Sequence, residues 1–162
     1  MRGGDAGVAV DELAVAPDQV FVEVPARGTA TGFDQFGKQR VGFFAADNGL
    51  HGLELWQSDG TAAGTSMVTD INKGELGSNP EDLTVCGSLL FFTANNGKQG
   101  LELWKTDGKA EGTLMVSDVY AGNEDSNPGE LTVMNGELFF TANSNKYGVE
   151  LWKSNGTEKG TE

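Results

Sequence analysis

The sequence predicts an all-β chain of tandem four-stranded antiparallel blades with a 48-residue period, a β-propeller or part of one. Three observations predict it. The triplets Glu54-Leu55-Trp56, Glu102-Leu103-Trp104 and Glu150-Leu151-Trp152 stand 48 residues apart, with no insertion or deletion between them. Short apolar runs alternate with Gly- and Asn-rich stretches, the pattern of strands joined by tight turns. The run Leu89-Leu90-Phe91-Phe92 is continuous rather than alternating, which suits a strand covered on both faces.

Taken in order, residues 1–32 form an N-terminal segment. Within it, residues 19–24 read as a strand, with alternating valines between Pro17 and Pro25, and are a candidate for donation to an exposed sheet edge. Residues 33–80 are the first repeat, whose first strand is degenerate: Gln35 and Phe36 stand where Leu83 and Thr84 begin the second repeat. Residues 81–128 are the second repeat, with strands expected at 83–85, 89–94, 101–105 and 113–119. Residues 129–162 are the third, ending before a fourth strand. Asn48-Gly49, Asn96-Gly97, Asn135-Gly136 and Asn155-Gly156 fall where turns are needed, because both residue types tolerate positive φ.

Composition narrows the function. The 162 residues carry 24 acidic and 11 basic side chains, a net charge of −13, and this field opposes nucleic acid and anionic membrane surfaces. No apolar run reaches the roughly 20 residues of a membrane helix, so membrane insertion is not expected. Asp11 and Glu12 interrupt the one apolar N-terminal stretch, so no signal peptide is read. The single cysteine, Cys86, excludes an internal disulfide and leaves the compartment open.

Candidate chemistry is sparse. His51 is the one histidine, and Gln99 and Tyr147 replace it in the other repeats, so no nucleophile–histidine constellation is placed and no catalytic residue is expected. Trp56, Trp104 and Trp152 read as packing between units, with a sugar-stacking platform as the alternative. Glu54, Glu102 and Glu150 place a carboxylate inside an apolar strand, where backbone N–H groups of a neighbouring turn would offset desolvation. Asp59, Asp107 and Asn155 read as turn residues, followed by the glycines Gly60, Gly108 and Gly156. The binding candidates lie in the connection after the second repeat's fourth strand: Asp118, Glu124, Asp125, Asn127 and Glu130. These are hard oxygen donors of the kind Ca²⁺ takes, without EF-hand spacing, and solvated loops are the alternative. No other cofactor is expected.

The run Glu54-Leu55-Trp56-Gln57-Ser58-Asp59-Gly60-Thr61 resembles the signature of the ELWxxDGT repeat family. The second copy departs at Lys109, where Thr is expected, and the third at Asn155, where Asp is expected. Gly64-Thr65 and Ser78-Asn79-Pro80 also resemble that family's flanks, and the likeness covers about residues 41–162. The resemblance implies a propeller-like fold and an extracellular or cell-surface setting, and brings no catalytic residues. The leading functional expectation is a non-enzymatic surface module for assembly, adhesion or scaffolding, with self-association or a larger assembly as partner. The alternatives are a glycan- or Ca²⁺-binding lectin-like propeller and a non-catalytic fragment of a larger enzyme.

Overall fold

The structure, a computed structural model, describes residues 14–15, 22–25 and 40–162, with side chains from Val41 onward. It is all-β and consists of three antiparallel sheets. The first holds β1 (Ala14–Val15), β2 (Val22–Pro25), β3 (Arg40–Asp47), β4 (Leu53–Ser58) and β5 (Ser66–Met67). The second runs in the order β6 (Glu81–Cys86), β7 (Leu89–Asn95), β8 (Leu101–Thr106) and β9 (Leu114–Ser117). The third contains β10 (Gly129–Met134), β11 (Glu137–Ser144) and β12 (Gly148–Ser154).

Equivalent residues occupy equivalent register positions. Phe44 pairs with Trp56, Phe92 with Trp104 and Phe140 with Trp152. The β10–β11 hairpin closes through Asn135 and Gly136, with φ of 54° and 82°, the conformation a two-residue type I′ turn requires. Both β6 and β10 carry an irregularity in their pairing, at the left-handed residues Asp82 (φ 55°) and Glu130 (φ 55°).

The continuous apolar run of β7 has a direct structural reason. Leu90 and Phe92 pack against Phe43 and Leu55 of the first sheet and Val68 just after β5. Phe91 and Leu103 pack against Leu138, Phe140 and Ala142 of the third. The second sheet is therefore sandwiched, and alternation has no wet face to record.

One element differs from expectation. The fourth strand, expected over 113–119, is only Leu114–Ser117, and its counterpart in the first sheet is the two-residue β5. Beyond it, after one further backbone bond from Val68 N–H to the Leu55 carbonyl in the first sheet, N–H groups donate to carboxylates instead of a ladder: Ile71 and Asn72 to Glu54, and Val119 to Glu102. The third sheet has three strands, with an isolated bridge between Ser154 and Thr161 at its outer edge. On the first sheet, β2 lies along β3 of its own chain, Val22 opposite Phe43, where β6 places Thr84 opposite Phe91. The described strand spans Val22–Pro25, while residues 19–21, Gln35 and Phe36 lie outside the described residues.

Candidate functional site

The signature residues build two devices, a turn and a junction. In the turn after β4, Asp59 Oδ1 accepts the N–H of Thr61 at 3.0 Å and its hydroxyl at 2.7 Å. The Thr61 hydroxyl oxygen in turn accepts the N–H of Gly64 at 3.0 Å. Ser58 and Thr65 join hydroxyls across the base of the turn at 2.7 Å. The third copy repeats this with Asn155, whose Oδ1 accepts both donors of Thr157, so an amide oxygen serves as well as a carboxylate. In the second copy Lys109 has no hydroxyl, and Asp107 keeps the backbone N–H bond at 3.0 Å.

This turn also touches the preceding sheet. Gly108 has φ 90°, and a Cβ there would stand 3.3 Å from Phe43 Cζ. Gly156, φ 85°, faces Phe91 Cζ at 3.2 Å in the same way. Lys105 Nζ donates to the Gly156 carbonyl, a further tie between the second and third sheets.

The junction is centred on the buried glutamates. Glu54 accepts bonds from the N–H groups of Ile71 and Asn72 at 3.3 and 3.1 Å, and from Ser78 Oγ at 2.6 Å. Glu102 accepts from the N–H groups of Val119 and Ser126, both at 3.1 Å, and from Ser126 Oγ at 2.6 Å. Each serine is shared between two sheets. Ser78 N–H donates to the Leu53 carbonyl while its own carbonyl accepts from Asn95 N–H. Ser126 stands likewise between Leu101 and Asn143. Burial pushes both carboxyls up from the ordinary range despite these donors, Glu102 to about 7, and the nearby Asp70 and Asp118 add to the effect. Glu150 breaks the pattern: it is exposed, and a Cβ added at Gly148, two residues earlier, would meet nothing within 4 Å.

Trp56 and Trp104 are buried, Trp104 among Phe43, Leu55 and Val68, and neither face is open for stacking a sugar. Trp152 is half-buried against the second sheet, and its indole N–H donates to the Ala142 carbonyl.

The expected loop ligands are engaged separately. Asp125 Oδ1 accepts the Leu101 N–H at 2.6 Å, and Asp118 Oδ2 accepts the Gly122 N–H. Asn127 sits at φ 46° ahead of Pro128 and donates to the Asp125 carbonyl, while Glu130 occupies the irregularity in β10. Glu124 is exposed, with its carbonyl closing over Gly100. Among the described residues, no three His, Cys, Asp or Glu side chains are grouped to hold a metal ion, and no helix is long and apolar enough to cross a membrane. His51 is tied to its own loop through Asn48. Sequence reasoning missed the part played by Ser78 and Ser126. Their signal was a serine 24 residues after Glu54 and again after Glu102, invisible without the fold that brings the two together.

Comparison with protein-family models, with curated proteins and with solved structures finds no match to this chain.

Proposed function

We propose that the chain is a non-enzymatic stacking module, a set of propeller-type blades of the ELWxxDGT pattern that assembles through the exposed face of its third sheet at the cell surface. One observation carries the reading. Leu55 and Leu103 are 0% and 1% exposed beneath the next sheet, whereas Leu151, at the same position of the third sheet, is 71% exposed. Val149 and Met134 are exposed on that sheet as well, and Glu150 lacks the donors that Glu54 and Glu102 receive. The occupant that fits is a further sheet of the same pattern, offering a Leu-x-Phe-x-Ala strand as β7 does. Apolar sheet faces and open edges left without cover promote association.

Light scattering of the full chain over a concentration series tests this. The expected result is a mass above the 17.1 kDa monomer at high concentration, returning to the monomer in Leu151→Glu with unchanged circular dichroism. A monomer at every concentration, or association untouched by Leu151→Glu, counts against the reading.

A further inference from the structure

Each of the two junctions sets a fully buried glutamate near a half-buried aspartate, one of whose oxygens is buried. Glu54 and Glu102 are fully buried, and the carboxylates that act on them are Asp70 and Asp118 respectively. Oδ1 of Asp70 and Oδ1 of Asp118 are both buried without a hydrogen-bond donor. Among the described residues no Lys or Arg forms an ion pair with any of the four. A buried acceptor without a donor is costly, and so are two like charges held together away from water.

Among the described side chains, the surroundings offer no other charge to relieve them. Around Glu102, β7 and β9 carry no ionisable side chain, and the 3-10 turn Ala110–Gly112 carries only the exposed Glu111. In the connection Tyr120 is half-buried, Glu124 is exposed and Asp125 is bound to the Leu101 N–H. Around Glu54, β5 has no ionisable group, Asp47 of β3 accepts the Gly49 N–H, and Lys73 and Glu75 are exposed.

We propose that each junction is a latch operated by one proton, taken up by Glu102 in one case and by Glu54 in the other. The proton comes from solvent and no covalent bond changes. It removes one of two like charges. The connection then closes more firmly over its sheet, and neighbouring sheets hold together better in mildly acidic solution. The occurrence of the same arrangement at both junctions makes a chance contact a poor account of it.

The sign follows from linkage. Glu102 titrates at about 7 in the folded chain against an ordinary 4.5, so between those values the folded state holds more protons than the unfolded one. Stability therefore rises as pH falls from above 7 toward 4.5, and that gain is lost as pH climbs back through 7. The net charge of −13 also weakens on acidification, so a variant must separate the local effect from the general one.

Unfolding midpoints of the full chain at about pH 5.5 and about pH 8 supply the test. The parent should be more stable at the lower pH. Glu102→Gln cannot ionise but keeps one acceptor oxygen where the carboxylate has two, so it gives up at least one of the bonds from Val119 and Ser126. Whatever its absolute stability, it should lose much of the difference between the two pH values. Glu150→Gln, on the exposed counterpart, should keep the parent's difference. A Glu102→Gln chain weakened at both pH values with the difference intact overturns the proposal. Should that variant fold poorly, a ¹³C titration of the Glu102 carboxyl in the parent decides. A midpoint near neutrality supports the latch, and one at or below the ordinary carboxylate range overturns it.

Discussion

At the scale of single residues, the glycine after each signature aspartate separates conformational strain from steric contact. Gly60 and Gly108 both hold positive φ, at 86° and 90°, but a Cβ at Gly60 meets open space while one at Gly108 meets Phe43 and Gln57. Gly60→Ala should therefore cost about 1 kcal/mol, from backbone strain alone. Gly108→Ala should cost more, because the turn must also back away from the first sheet. Denaturant midpoints of the two variants check the order, and equal losses would remove the contact from the account. Trp104, buried between two sheets, should lose roughly 3–5 kcal/mol on replacement by alanine. Red-shifted, easily quenched fluorescence from Trp104 would contradict that placement. The turn roles of Asp59, Asp107 and Asn155 were legible in the sequence because their bonds reach only two residues ahead. The isolation of the Trp56 and Trp104 indole N–H groups was not, since it depends on what lies opposite them in the fold.

At the scale of elements, legibility followed the range of the interactions. The inner strands β7 and β8 were readable from apolar runs bounded by Gly and Asn, and the structure extends each by one residue. The outer strand was overestimated because Val119 looks like strand continuation, yet its N–H turns to Glu102. The N-terminal segment is a related case. Alternating valines marked residues 19–24 as a strand without saying which edge they meet, and Val22–Pro25, the described part, runs antiparallel to β3 in the same chain. Removing residues 1–26 strips β1 and β2 from that edge. The truncated chain should unfold at lower denaturant and self-associate more readily, because β3 then offers an unpaired row of backbone groups. Stability and mass equal to those of the parent would mean that the pairing contributes nothing to the first sheet.

At the scale of the whole molecule, the candidate site was harder to read than the fold. The acidic connection 118–130 reads in the sequence as a set of oxygen ligands, and in the structure Asp118, Asp125 and Asn127 each make a local bond. The residues that tie the sheets together, Glu54 with Ser78 and Glu102 with Ser126, are 24 positions apart, and only the folded path of the chain brings them within 2.6 Å. That fixed offset has a consequence for heredity. Each serine serves the sheet behind it and the sheet ahead of it, so the same contact is regenerated whenever the chain is lengthened by one full period. A duplicated stretch of 48 residues would arrive with its glutamate, its serine, its turn glycine and its Phe-Phe pair already in step with both neighbours. A stretch of any other length would part a glutamate from its serine and set the glycine turn against the wrong residue. A gene encoding such a chain is free to grow and shrink by whole units, and is penalised for every fraction of one.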